Sequence, residues 1–275
     1  MQKTVSYLGP DGSWSEICSL VWFKGYARLP CRSFDEALDM VEVGKSDVCV
    51  IPVENSIEGP VTQVLDILSD SSLNIIGEKI MKIRHSLLSN SGEIKVVYSH
   101  PQALAQCRKK LRAMLPGADI VPVSSTSEKW VEASEGRGVA IIGSPDLAAR
   151  YGLTIVSDNV CDYDFNLTRF IAVGRSTEPS GEKSKASISF SPSSNRPGSL
   201  VSVLKPLSDR GINMSMVVSR PDKKHAGSYR FFIDCDSFGT IENLNAAIEE
   251  MKGEGAAISI KGIYCRSSWE MPDYP

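Results

Sequence analysis

The sequence lacks the features that define several classes of protein. No apolar run in its 275 residues approaches the ~18 residues that a membrane-spanning helix needs. Its seven cysteines are odd in number and form no Cys-x-x-Cys pair, and its three histidines lie far apart. Long basic runs are missing, and the formal net charge is -3 at pH 7. We therefore expect a soluble protein of the reducing cytoplasm that binds no metal, membrane or nucleic acid.

The sequence does contain an ordinary globular composition and enough residues for two domains. Hydrophobic residues make up 42% and charged residues 23%, and the length exceeds the ~150 residues per domain that serve as a rough prior. Over roughly the first 175 residues, short apolar runs alternate with amphipathic stretches. The runs that predict buried strands lie at 48–51, 95–98, 139–142 and 170–173. This alternation predicts an α/β layer fold.

A second domain is predicted after a polar stretch with a proline and a glycine, which we interpret as a linker at 178–185. The hydrophobic pattern then restarts. It predicts strands at 186–191, 212–220, 228–235 and 258–264, and helices at 198–209 and 240–252. This βαββαβ order is the ferredoxin-like arrangement of an α+β domain. The final segment, 266–275, contains two prolines and is expected to form a loose tail.

Polar residues follow the strand predicted at 48–51, at the end of the strand where open α/β sheets bind ligands. Glu54, Asn55 and Ser56 lie between that strand and a helix predicted at 61–69. Their carboxylate, amide and hydroxyl groups could line a cleft. Helix capping by Asn55 or Ser56 is the alternative, and it needs no ligand. Capping would not account for all three groups.

A second polar cluster begins the helix predicted from Pro101 to Leu115. Ser99 precedes the proline as a start signal, and Gln102 and Gln106 are four residues apart on one helical face. These side chains could bind an anion at the helix N-terminus. The alternative has Ser99 as the N-cap and both glutamines facing solvent.

Two further clusters carry weaker signals. Ser125 and Glu128 have the spacing of a capping box, and capping is the favoured interpretation there. Thr168 and Arg169 stand side by side at the opening of a strand. A hydroxyl donor beside a planar cation that can grip a carboxylate suits an acidic substrate with a leaving hydroxyl. Taken alone, a surface arginine at a strand start would be the commoner explanation.

In this order and spacing, the four clusters closely resemble the catalytic domain of prephenate dehydratases. The likeness begins at the run Tyr7-Leu8-Gly9-Pro10-Asp11-Gly12-Ser13-Trp14-Ser15-Glu16 and ends with Thr-Arg-Phe at 168–170. It implies two α/β lobes similar to a type II periplasmic binding protein, with the substrate in the cleft between them. The implied catalytic domain is 1–177, with 1–77 and 161–177 in the first lobe and 78–160 in the second.

The resemblance also implies an enzyme, a carbon–oxygen lyase that converts prephenate to phenylpyruvate in phenylalanine biosynthesis. A threonine matching Thr168 protonates the departing ring hydroxyl in this family, and Arg169 would hold a substrate carboxylate. Phe170 would form an apolar wall, and Gln102 is a weaker candidate. The other implied pocket residues are polar: Glu54, Asn55, Ser56, Ser99 and Gln106. No cofactor is implied.

Residues 186–265 resemble the ACT domain that usually follows this catalytic unit and binds phenylalanine as a feedback inhibitor. Gly-Ser-Leu-Val at 198–201 stands where the family has Gly-Ala-Leu-Val. Val-Ser-Arg-Pro at 218–221 stands where the family has Glu-Ser-Arg-Pro, so Val218 replaces an acidic residue. The implied effector residues are Gly198, Ser199, Leu200, Val201, Asn213, Met214, Ser219 and Arg220. Helix-start geometry at Gly198 and a strand-ending turn at Ser219–Pro221 are alternatives that need no ligand.

ACT domains commonly pair side by side, so the resemblance implies a homodimer or homotetramer with L-phenylalanine at the junctions. No segment like a chorismate mutase module precedes the first motif, and a monofunctional enzyme is expected. Two other functions stay open: an arogenate dehydratase, and a non-catalytic amino-acid sensor. Thr168 beside Arg169 argues against the sensor, because a sensor needs the cation but not the proton donor.

Overall fold

The computed structural model describes residues 2–123, 129–176, 184–223 and 227–267. Within these ranges the chain forms three β-sheets with helices packed on them. The first part of the chain contains β1 (Thr4–Leu8), α1 (Trp14–Trp22), β2 (Ala27–Cys31), α2 (Phe34–Glu42), β3 (Val48–Asn55), β4 (Gly59–Pro60), α3 (Thr62–Asp70) and β5 (Asn74–Lys82). β1 pairs in parallel with β2 and β3, and the apolar start of β3 is buried, as expected for parallel strands covered by helices.

The second sheet belongs to the middle of the chain. Its elements are β6 (Ser86–Leu88), β7 (Val96–Ser99), α4 (Pro101–Gln106), α5 (Arg108–Met114), β8 (Asp119–Pro122), α6 (Trp130–Ser134), β9 (Val139–Gly143), α7 (Asp146–Tyr151) and β10 (Ile155–Ser157). The strand order is β10-β6-β9-β7-β8. β7 is parallel to both β8 and β9, so α4 begins at the carboxyl end of a central strand.

The strand β11 (Leu167–Gly174) returns the chain to the first sheet, where the order becomes β2-β1-β3-β11-β5 with β4 paired to β3. β11 is antiparallel to β3 and to β5, and all its residues are buried. Leu167 pairs with Lys82. The chain therefore leaves the first sheet after β5 and returns to it at β11 at neighbouring points. The cleft between the two lobes lies at the start of β11.

The third sheet contains β12 (Lys185–Ser191), α8 (Ser199–Asp209), β13 (Asn213–Pro221), β14 (Tyr229–Asp236), α9 (Ile241–Gly253) and β15 (Ala257–Tyr264). Its strand order is β13-β14-β12-β15, and all pairs are antiparallel. One face packs on α8 and α9 around its own apolar core. From the other face, Met216, Phe232 and Tyr264 join the core formed by α2, α3 and the first sheet. The interface is thus continuous with a hydrophobic core.

β15 lies directly against β5 of the first sheet. A Cβ atom added at Gly262 would lie 2.2 Å from the carbonyl oxygen of Ile75. Only glycine therefore permits this approach of the two backbones.

The predicted fold class is confirmed: a two-lobed α/β unit precedes a ferredoxin-like βαββαβ unit. The helix expected from Pro101 to Leu115 is, however, interrupted at Cys107. Its N-cap is His100, whose Nδ1 accepts a hydrogen bond from the Gln102 N–H at 3.3 Å. Ser99 is not the N-cap, because its side chain is bonded elsewhere. Among the described residues, no helix has the length and apolarity needed to cross a membrane.

Three further predictions concern the lobe boundary, the linker and the C-terminal tail. The lobe boundary expected between residues 77 and 78 falls inside β5. Most of the predicted linker, and the Ser125–Glu128 pair, lie outside the described residues. The start of the expected loose tail is tied down, because Ser267 donates from its N–H to Glu78 Oε1 and from Oγ to the Glu78 carbonyl, both at 2.8 Å.

Candidate active site

Thr168 stands near the start of β11, directly opposite Asn55 at the end of β3. The Asn55 Nδ2 group donates a hydrogen bond to Thr168 Oγ1 at 2.9 Å. Since the threonine oxygen is the acceptor in this bond, its own proton is available for donation. The pair therefore presents an oriented hydroxyl donor at the end of β3, where β11 begins.

The orientation of the Asn55 amide is set by the turn that follows it. Its Oδ1 accepts hydrogen bonds from the backbone N–H groups of Ile57 at 2.9 Å and Glu58 at 3.1 Å. Such bonds are typical of an Asx turn. With Oδ1 occupied on this side, the NH₂ group must point toward Thr168 and toward Asn166 Oδ1, which lies at 2.7 Å.

A chain of side-chain amides continues from Asn55 across the cleft to α4 in the second lobe. Asn166 Nδ2 donates to Gln106 Oε1 at 2.7 Å. The Nε2 groups of Gln106 and Gln102 each donate to one carboxylate oxygen of Glu58, both at 2.6 Å. The two predicted glutamines do share one face of α4, and Glu58 joins that face to the first lobe.

His85 is hydrogen-bonded to this network at Gln106. Its Nε2 lies 3.1 Å from Gln106 Oε1, and because that oxygen is an acceptor, Nε2 is the donor. Its Nδ1 is buried and has no hydrogen-bond partner within the described part of the chain. Burial lowers the pKa of His85 below its ordinary value of 6.5, against the opposing effects of Gln106 and Glu58. The ring is therefore neutral at neutral pH.

Arg169 and Glu54 lie on the opposite face of the first sheet from Thr168 and Asn55. Successive side chains of a strand point to opposite faces, and the register pairs Arg169 with Glu54. Arg169 Nε donates to Glu54 Oε2 at 3.0 Å, and the Arg169 side chain is 1% exposed. This corrects the expectation that both residues hold substrate in the cleft, because both side chains point toward the third sheet.

Three other predicted pocket residues are also bonded or packed into the protein. Ser99 is buried and its Oγ donates to the Ile142 carbonyl at 2.7 Å. Phe170 is 1% exposed and packs inside the core of the first lobe. Ser56 is exposed, and its Oγ accepts from the Leu167 N–H at 2.9 Å. Of these three, Ser56 alone is exposed, and the pocket roles of Ser99 and Phe170 stay predictions.

The motif at residues 7–16 forms a second contact between the lobes. Glu16 Oε1 forms an ion pair with Arg150 Nη2 of α7 at 3.0 Å, and its other oxygen accepts from the Gly12 N–H at 2.5 Å. Gly12 has a φ of 85° and lies so close to Leu147 that a Cβ atom would be 2.4 Å from that side chain. The glycine and the glutamate of this motif therefore serve the lobe junction.

A family model described as prephenate dehydratase matches residues 5–178, and one described as ACT domain matches residues 193–253. The chain belongs to the prephenate dehydratase family. The prephenate dehydratase of Methanocaldococcus jannaschii is 34% identical to it over 274 residues, which cover 96% of this chain and 98% of that protein. The bifunctional chorismate mutase/prephenate dehydratase of Neisseria gonorrhoeae is 35% identical over 95% of this chain and 74% of that protein.

Among solved structures, the prephenate dehydratase of Arthrobacter aurescens in complex with L-Phe has a TM-score of 0.85 to this chain. The sequence identity is 32%, and the match covers 96% of this chain and 90% of that one. The likeness thus spans both the prephenate dehydratase unit and the ACT unit.

The predicted effector residues of the ACT domain lie in three places, at the start of α8, at the start of β13 and at the end of β13. Gly198, with a φ of 89°, is the N-cap of α8, and Ser199 Oγ lies 3.0 Å from Ser194 Oγ. Leu200 packs on the core of the third sheet, whereas Val201 is 71% exposed. The first group therefore combines helix-start geometry with an exposed apolar side chain.

The second group lies at the start of β13, after α8 ends. Asn213 Nδ2 donates to Asp236 Oδ1 at 2.9 Å, and Met214 packs on the core of the third sheet. At the far end of β13, Ser219 is exposed, and Arg220 donates two hydrogen bonds to the Asp66 carboxylate of α3 at 2.8 and 2.9 Å. Within one chain these residues do not converge on a single pocket.

Three residues of the cleft network were not predicted. Glu58 and Asn166 lie two residues from the predicted Ser56 and Thr168, so their closeness in sequence was an available signal. His85 has no such signal. It is a single histidine between β5 and β6, and only the tertiary fold brings it to Gln106.

Proposed function

We propose that the protein converts prephenate to phenylpyruvate, water and carbon dioxide, with Thr168 as the proton donor. The ring C–O bond breaks and the departing hydroxyl takes the Thr168 proton to leave as water. The bond from the ring to its carboxylate also breaks, and that electron pair completes the aromatic ring as carbon dioxide leaves. Solvent then returns a proton to Thr168. The observation that carries the proposal is the Asn55–Thr168 hydrogen bond at the cleft of a prephenate dehydratase fold.

We further propose that Gln102 and Gln106 bind a carboxylate of the substrate when the lobes separate. Support comes from their present contacts, since both Nε2 groups already donate to a carboxylate, that of Glu58. A substrate carboxylate can replace it with the same geometry. Thr168 is only 8% exposed and Gln106 only 7% exposed, so admission of substrate requires that this contact open.

The direct test is a prephenate assay that follows phenylpyruvate formation. We expect Thr168→Ala to lower kcat by about 10²–10⁴-fold, the usual contribution of a positioned general acid. Thr168→Ser is the matched control, because it keeps the hydroxyl and should keep most of the activity. A Thr168→Ala variant with unchanged kcat would remove Thr168 from the mechanism. Faster turnover of arogenate than of prephenate would favour the arogenate alternative.

We propose that L-phenylalanine inhibits the enzyme at the ACT domain, 186–265, in a homodimer or homotetramer. The relative from Arthrobacter aurescens was solved in complex with L-Phe. Gly198 and Asn213 lie at opposite ends of α8, so a pocket containing both needs two ACT domains side by side. β13 is an edge strand of the third sheet, and edge strands are suited to pairing with a second copy.

Sedimentation with and without L-phenylalanine, together with inhibition assays, tests this regulation. A monomer at assay concentrations would contradict it, as would activity unchanged by millimolar L-phenylalanine. We also propose a cytoplasmic location, which the seven free cysteines support.

A further inference from the structure

Charged side chains are buried between the first and third sheets, directly behind Thr168. The members of this interdomain charge cluster are Glu54, Glu78, Arg169, Lys185 and Asp234. Four of the five side chains are at most 4% exposed, with Asp234 at 0%, whereas Glu54 at the edge of the cluster is 26% exposed. Charges in such a place persist only when they are paired. The two domains must therefore keep the relative position that pairs these charges.

Arg169 lies at the centre of the cluster and pairs with carboxylates on three strands. Its Nη2 is 2.6 Å from Asp234 Oδ2 on β14, and its Nη1 donates to Glu78 Oε2 on β5 at 3.1 Å. Glu54 on β3 receives the third contact. Burial alone would lower the pKa of Arg169, but the acids around it, Asp234 first, outweigh that effect and raise it. The guanidinium stays charged and anchored on both domains.

Asp234 is itself held in place by the ACT domain. Ser187 Oγ donates to Asp234 Oδ1 at 2.5 Å, and the same hydroxyl lies 2.7 Å from the Tyr264 hydroxyl. Lys185 Nζ lies 3.6 Å from Asp234 Oδ2. Asp234 thus presents a carboxylate to Arg169 from a rigid part of the third sheet.

The pairing of β11 with β3 is irregular where this anchor is attached, and the extra residue belongs to β3. Arg169 pairs with Glu54 but Phe170 pairs with Pro52, so the register shifts by one residue at Val53 of β3. A bulge of this kind interrupts the ladder and re-aims the neighbouring side chains. The segment that carries Thr168 stays in register with β5 on its other edge, and the ion pairs of Arg169 add a side-chain anchor on the edge where the pairing with β3 shifts.

We propose that Asp234 of the ACT domain is a positioning residue for the dehydration, which holds the Thr168 hydroxyl in alignment by anchoring Arg169. The proposal rests on the proposed role of Thr168. It gives the ACT domain a direct connection to the active site, because any movement of β14 moves the carboxylate on which Arg169 depends.

Steady-state kinetics on prephenate with the whole chain test the proposal. Asp234→Asn should lower kcat by about 10–10²-fold, the range expected when a reacting group is misplaced by a fraction of an ångström to one ångström. KM should change by less than about threefold, because neither Asp234 nor Arg169 touches the substrate. Ser187→Ala keeps every charge and removes only the hydrogen bond to Asp234 Oδ1. It should lower kcat by a smaller factor than Asp234→Asn, again with little change in KM.

A double-mutant cycle locates the path of the effect. If Asp234 acts through Arg169, kcat of Asp234→Asn combined with Arg169→Gln should equal that of Arg169→Gln alone. Asp70→Asn is the matched control, since Asp70 also pairs across the domain interface, with Arg230 at 2.8 Å, but on the exposed side and away from Thr168. It should leave kcat within about twofold of the wild type.

The possible outcomes separate this proposal from the proposed function. A wild-type chain that does not turn over prephenate contradicts the function itself. Full wild-type activity with unchanged kcat in both Asp234→Asn and Ser187→Ala overturns only the positioning role. A rise in KM at constant kcat in Arg169→Gln also overturns it, because that result would place Arg169 on the substrate. If Asp234→Asn does not fold, Ser187→Ala decides the question.

Discussion

On one face of β11, Thr168 belongs to a network of neutral amides that ends in a single carboxylate, Glu58. On the other face, Arg169 is enclosed by carboxylates from two domains. Hydrogen bonds of amide donors cost little to exchange when an equivalent acceptor replaces the one that is lost, so a substrate carboxylate can take the place of Glu58. A buried ion pair is costly to break, because the remaining partner is left charged and unpaired. One face of β11, toward the cleft, therefore has hydrogen bonds that a substrate can replace, and we call it the replaceable side. The other face, toward the ACT domain, has buried ion pairs that cannot be exchanged, and we call it the fixed side.

Arg169→Leu should break the fixed side and have the largest effect on stability. It leaves the carboxylates of Asp234 and Glu78 buried with one cation fewer, so we expect the free energy of unfolding in urea to fall by about 3–5 kcal/mol. Arg220→Leu is the matched control. Arg220 also pairs across the interface, with Asp66, but its side chain is 32% exposed, and its loss should cost less than about 1 kcal/mol. Equal losses in the two variants would contradict the distinction.

Asn55→Asp tests the replaceable side with almost no change of shape. An aspartate can still accept the turn N–H groups of Ile57 and Glu58, but it cannot donate to Thr168 Oγ1. It would instead accept the Thr168 proton and withdraw it from the substrate. We expect kcat on prephenate to fall by about 10²-fold, comparable to the loss of one oriented donor, and the urea midpoint to fall as well, because the new carboxylate faces Asn166 Oδ1 without a proton to donate. A large loss of stability without a kcat effect would assign Asn55 a structural role.

The fold was predictable because its signals are local. Apolar alternation and glycine placement predict the ACT helices and strands to within a residue or two of their observed ends, as at 198–209 against Ser199–Asp209. The helix after Pro101 was predicted too long, since nothing in the periodicity marks the interruption at Cys107.

The site was predictable only in part, and Arg169 shows why. Its adjacency to Thr168 in sequence suggested adjacency in space, whereas neighbouring residues of a strand point to opposite faces. The strand was predicted to begin at Phe170, and it begins at Leu167. With the earlier start, alternation would have separated the two side chains. That Arg169 meets Asp234 depends on contacts between residues 65 positions apart in the chain, which no local pattern encodes.

The smallest expected effect concerns His85 and pH. Burial lowers its pKa below 6.5, so between the folded pKa and 6.5 the unfolded chain binds a proton that the native state excludes. Stability therefore rises with pH through this window and is lost as pH falls below 6.5. The melting temperature of the wild type should drop between pH 7.5 and 5.5, and His85→Gln should drop less.

His100→Asn provides the matched histidine substitution for this comparison. His100 is exposed, and asparagine preserves its capping of α4. This variant should keep the pH dependence of the wild type. If His85→Gln and His100→Asn follow the same curve as the wild type, His85 does not exclude a proton, and the amide network tolerates a charged neighbour. If only His85→Gln is flatter, the cleft side of β11 depends on a neutral ring, as its neutral hydrogen bonds require.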